Sequence, residues 1–125
     1  HPSAADYVQK RAQKQAFNRR VADFFLDYDL LLTPTTSVTA LPVGQLNPAD
    51  WPQHDWNWLS WASFSYPFNF SGNPAASIPI GFDEKGLPIG LQVVGKRFAD
   101  LTVLQAAAAF EAAYPWAQLR PSGVA

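Results

Sequence analysis

The stretch SYPFNFSGNPAASIPIGFDEKGLPIGLQVVG, Ser65–Gly95, is too apolar for a linker and too interrupted by proline and glycine for one long helix. Within it, Ala76–Phe82 and Leu87–Val94 are runs of β-type composition separated by the polar Asp83-Glu84-Lys85-Gly86, with glycine where a positive φ is often required. This predicts a β-hairpin over residues 76–95. Pro79 and Pro88 each remove a ladder donor, so both belong at strand starts, bulges or an edge.

Working outward, residues 1–29 read as one long amphipathic helix. Ser3 can cap it, Asp6 suits the positive end of its dipole, and Val8, Ala12, Phe17, Val21, Phe24, Phe25 and Tyr28 recur at helical spacing. Residues 30–36 read as a strand whose apolar run Leu30-Leu31-Leu32 leaves the sheet at Thr33, before Pro34. Residues 37–57 are proline-rich and without period, a lid-like loop, and residues 58–72 an aromatic helix and loop. After the hairpin, residues 100–114 form a last helix, capped by Asp100 and ended by Pro115. Its packing face is Val103, Leu104, Ala107, Ala108 and Phe110, and its alanines permit close approach to a sheet. The class is α/β.

With 125 residues, 48% of them hydrophobic and 15% charged, the chain has material for one domain and its core. A formal net charge of -1 offers no field for nucleic acid or anionic lipid, and Lys10, Arg11, Lys14, Arg19 and Arg20 read as a solvated helix face. The absence of cysteine removes disulfides, thiolate catalysis and cysteine-ligated metals, which fits a cytoplasmic location. No stretch approaches the roughly 20 uninterrupted apolar residues of a membrane span. The sequence contains no methionine and starts at His1, so the chain is expected to be a piece of something longer.

A reacting group is hard to find. His54 stands beside Asp55, but neighbours on an extended chain point to opposite faces, the wrong geometry for a relay. Two distant histidines make no metal site, and the acidic pair Asp83 and Glu84 is explained by a turn. The glycines match neither nucleotide-binding fingerprint. No catalytic residue, cofactor or metal is assigned. One segment has the composition of a binding surface: Trp58, Trp61, Phe64 and Tyr66 are the candidate substrate-binding residues, with core packing as the competing reading.

Three blocks, LLLTPTT (Leu30–Thr36), YPFNFSGNPAASIP (Tyr66–Pro79) and GLPIGLQVVGKRFADLTVLQAAAAFE (Gly86–Glu111), resemble the closing third of an amidase signature family enzyme. The pattern P-x-N-x-x-G-x-P-A-x-S-x-P is met by Pro67, Asn69, Gly72, Pro74, Ala75, Ser77 and Pro79, and Pro34 and Thr35 belong to the first block. The resemblance implies that residues 1–125 are a C-terminal fragment of a large mixed sheet sandwiched between helices. It implies hydrolysis of a carboxamide through an acyl-enzyme, by a serine nucleophile, a second serine in a cis peptide and a lysine base.

Those three residues lie in the family's preceding two thirds, so Ser71, Ser77, Lys85 and Lys96 are not drafted in as substitutes. The implied partners are the missing N-terminal part and a small-molecule amide, with no nucleic acid or membrane, and homo-oligomers through unpaired sheet edges. Pro67, Asn69, Gly72, Pro74, Ser77 and Pro79 are expected to be structural, Asn69 and Ser77 by satisfying buried backbone groups. Glutamine-hydrolysing amidotransferase subunits resemble this region but carry an acidic residue where this chain reads Trp61, Ala62, Ser63, Phe64. That favours an apolar or aromatic amide over glutamine. The alternative of another class is a free-standing, non-catalytic module that binds a partner through exposed aromatics.

Overall fold

The computed structural model describes residues 2–51 and 57–119, residues 57–59 by backbone alone. Helix α1 spans Ala4–Asp27. Its start is a capping box: the Asp6 amide donates to Ser3 Oγ (3.1 Å) while the Ser3 amide donates to Asp6 Oδ2 (2.8 Å). It stops two residues short of the expected 29, because Tyr28 turns extended (φ -129°, ψ 139°) as the chain enters the sheet. Only the second half packs, through Val21, Phe24 and the buried Phe25. Val8, Ala12 and Tyr28, expected on the packing face, are exposed: residues 4–16 are exposed throughout, with Lys14 over the Phe70 ring, and Tyr28 lies just past the helix end.

Three strands follow: β1 (Leu30–Pro34), β2 (Ala75–Phe82) and β3 (Pro88–Gly95). The order is β1-β3-β2 and both pairings are antiparallel, with Leu30 opposite Gly95 and Ser77 opposite Gln92. Thr33 therefore lies inside β1 rather than at its exit. The strand ends at Pro34, two residues before 36, though the Thr35 amide still donates to the Gly90 carbonyl (2.9 Å). Pro88 opens β3, and the ladder between β2 and β3 shifts register between Pro79 and Gly81, so each proline sits where a missing donor is tolerated.

Alternation along β3 divides the two faces. Val94, fully buried, meets Phe25 and Phe68 on the side of α1. Val93 and Ile78 are buried beneath α3 (Asp100–Ala113), which packs on β2 and β3. The inner stripe of α3 is Val103, Ala106, Ala107 and Phe110, whereas Leu104 and Ala108 from the expected face point outward. The Asp100 side chain makes no cap: Ala99 holds that position and the Asp100 carboxylate favours the positive end of the dipole from the first turn. The helix ends at Ala113, one residue before 114.

Residues 37–51 contain no regular element, and the aromatic segment resolves into a short 3-10 helix (Asn57–Ala62) followed by α2 (Tyr66–Ser71). Gly72 closes α2 in the left-handed region (φ 72°) and donates its amide to the Phe68 carbonyl (2.8 Å), a conformation in which a side chain would be strained. No helix among the described residues is long and apolar enough to cross a membrane.

Candidate functional site

The three sequence blocks meet where β1 ends. Thr35 Oγ1 and Ser77 Oγ are 2.7 Å apart, and the space they share is the space a side chain on Gly90 would fill. One strand away, the buried Gln92 donates from Nε2 to Thr33 Oγ1 (2.9 Å) and to the Phe64 carbonyl (3.0 Å). This ties the sheet to the backbone that follows the 3-10 helix.

From here the chain leaves the sheet under restraint from two directions. The Ser37 amide donates to the Trp61 carbonyl (2.9 Å), and Ser37 Oγ pairs with Ser63 Oγ (2.8 Å). Two residues on, Thr39 Oγ1 donates to Asp83 Oδ2 in the hairpin turn (2.8 Å). Asp83 is itself organised, its Oδ1 accepting from the amides of Leu87 (2.8 Å) and Lys85 (2.9 Å). The Leu87 amide above all holds its carboxyl below the ordinary aspartate value; desolvation, the next largest influence, opposes it, and the Thr39 hydroxyl and Lys85 add to the lowering.

Between these anchors lies an open cavity of about 490 Å³ walled by Thr36, Val38, Thr39, Leu41, Leu46 and Trp61. Its walls are predominantly apolar and, among the described residues, carry no charged side chain. Such a space takes a small apolar group and orients it weakly.

The four candidate substrate-binding residues do not share one surface. Trp61 lines the cavity, whereas Tyr66 lines a separate groove with Lys14, Phe17, Pro67 and Phe70 between α1 and α2. Phe64, half-buried, contributes its carbonyl to Gln92. The Trp58 side chain lies outside the described residues, as do His54 and Asp55.

The motif residues divide similarly. Pro34 ends β1, Pro67 occupies the first turn of α2, and the Pro74 carbonyl accepts from the Gly95 amide (3.0 Å). Asn69 is exposed, so it does not satisfy buried backbone as expected. That role belongs to Asn73, whose Nδ2 donates to the Gly95 carbonyl (2.7 Å) while Oδ1 accepts from Ser71 Oγ (2.6 Å). The signal was present in Gly72-Asn73-Pro74, since asparagine after a helix-closing glycine readily bonds nearby backbone. Gln92 was likewise legible as the one amide inside Leu91–Val94.

Ser71, Ser77 and Ser37 bond to amide or hydroxyl partners that are too weakly basic to activate a nucleophile. Among the described residues no three histidine, cysteine, aspartate or glutamate side chains gather to hold a metal.

A family model described as Amidase matches residues 1–104. An acylamidase of Rhodococcus erythropolis is 38% identical over 108 residues, 79% of this chain and 21% of its own. A glutamyl-tRNA(Gln) amidotransferase subunit of Lacticaseibacillus casei is 38% identical over 120 residues, 94% of this chain and 23% of its own. Among solved structures, 6-aminohexanoate cyclic dimer hydrolase superposes with a TM-score of 0.80 at 31% identity, over 96% of this chain and 26% of that one. The chain thus spans about a fifth of the length of the curated relatives it matches.

Proposed function

The chain belongs to the amidase family, and from that premise we propose that it forms the C-terminal part of an enzyme hydrolysing a carboxamide to a carboxylate and ammonia or an amine. The attacking serine, its partner serine and the lysine base belong to residues outside this chain. The serine oxygen adds to the amide carbon, the C–N bond breaks with a proton delivered to the departing nitrogen, and water releases the carboxylate from the ester. This chain supplies the sheet and the apolar cavity walled by Trp61. The rest of the amidase domain is the partner proposed to cover Leu26, Leu32, Phe98 and Leu101, all more than half exposed here.

The substrate reading rests on one observation, the lining of the cavity, uncharged among the described residues. It favours an amide with an apolar or aromatic acyl group. The amidotransferase relatives, matched over 94% of the chain, support a second reading in which the amide is glutamine. Against it, the ammonium and carboxylate of glutamine would find no counter-charge along Thr36–Leu46 or at Trp61. Steady-state assays of the full-length protein on hexanamide, benzanilide and glutamine decide between them. Turnover of the first two with none of glutamine is expected; glutamine as the preferred substrate would overturn the apolar reading.

A further inference from the structure

We propose that Asp83 is a positioning residue for the amide pocket: from the hairpin turn it fixes, through Thr39, the place where the far wall of the cavity begins, and so sets the acyl length the pocket accepts. The proposal rests on the reading of that cavity as the pocket for the acyl group.

Residues 36–39 are held on one side by the 3-10 helix region, through Ser37 to Trp61 and Ser63, and on the other by Asp83 through Thr39. Beyond Thr39 the wall continues through Ala40, Leu41, Gln45 and Leu46, where the Gln45 amide turns back on the Pro42 carbonyl (3.0 Å) within the loop itself. Val43 and Leu46 are exposed, so packing does little to restrain this stretch. Among the described residues, Thr39 to Asp83 is therefore the last side-chain tether between loop and sheet before residue 46. It bridges 44 residues of sequence and ends on a carboxylate whose other oxygen is locked by two turn amides, so the anchor is rigid where the loop is not. A hydroxyl bonded to an ionised carboxylate is also stronger than a neutral pair.

The test is made on the full-length protein with a graded series of straight-chain amides, together with hydrogen exchange of residues 38–46. D83A should speed exchange there and change KM for the longest amide about fivefold relative to acetamide, with kcat little altered. T39V, which leaves the turn intact, should speed exchange there likewise and shift the same length profile, and the double variant should be no worse than the more affected single one. T39S keeps a hydroxyl, and Asp83→Asn can donate its amide to Thr39 Oγ1, so in both the exchange of residues 38–46 should stay slower than in D83A. Additive effects, or an unchanged length profile in an enzyme that does hydrolyse these amides, sink the role of Asp83. Absence of turnover on every amide by the wild type sinks the pocket reading and the selectivity claim with it. Unchanged exchange in both single variants sinks the tether itself.

Discussion

The hydroxyl oxygens of Thr35 and Ser77 lie 2.7 Å apart, and a Cβ on Gly90 would meet them at 2.7 and 2.8 Å. Glycine at 90 is thus what lets β2 bond, across the central strand, to the residue that follows β1. Gly90→Ala should destabilise the chain by about 1–3 kcal/mol, the usual range for forced overpacking. In a Ser77→Ala background the penalty should shrink, because one of the two colliding oxygens is gone. Denaturant midpoints of the four proteins measure both effects, and an equal loss in the two backgrounds would refute this account of the glycine.

Gln92 is 5% exposed and holds Thr33 Oγ1 and the Phe64 carbonyl with one nitrogen. Gln92→Leu keeps the volume but leaves that carbonyl without its donor, at a cost of roughly 1–3 kcal/mol. Hydrogen exchange should quicken around residues 62–66, downstream of the lost bond. A variant as stable as the parent with unaltered exchange would mean that Gln92 merely fills space.

Asn73 joins the end of α2 to the end of β3 through the Gly95 carbonyl. N73A should lower stability by about 1–2 kcal/mol. N73D should lose more at neutral pH, since a carboxylate oxygen would face the carbonyl, and should recover part of that loss on acidification as the new carboxyl becomes a donor. Unfolding titrations at two pH values test the order; N73D matching N73A at both would show that no charge is felt there.

The hairpin was readable because its signals are local: a polar four-residue turn ending in glycine, and prolines that restrict where ladder bonds run. Helix faces were readable only in part. Apolar spacing reports which residues share a stripe, not where along a helix a neighbour exists, so Val8 and Ala12 fit the stripe of α1 yet stand in its overhanging half. The candidate site suffered more. Trp61 and Tyr66 are close in sequence, but the break between the 3-10 helix and α2 turns them onto different surfaces. The pairs that build the site, Thr35 with Ser77 and Thr39 with Asp83, span 42 and 44 residues; the first depends on strand register and the second on the path of the loop, and sequence offers a local mark for neither.

The first turns of α1 depend on their cap, because residues 4–16 are exposed and have little tertiary packing to hold them. Hydrogen bonds from the Ser3 amide and hydroxyl favour the ionised Asp6 carboxylate and lower its pKa below the reference value of 3.8. A folded pKa below the unfolded one means that this stabilisation is fully present above about 3.8 and is lost as pH falls through the lower folded value. Amide exchange of residues 4–8, followed by NMR from pH 5 down to pH 2, should therefore quicken at the acid end beyond its intrinsic pH dependence. Asp6→Asn should flatten that excess, since an amide carries no proton-linked charge over this range. If the variant keeps the same acid response as the parent, the loss arises elsewhere and the capping carboxylate is not what holds the helix start.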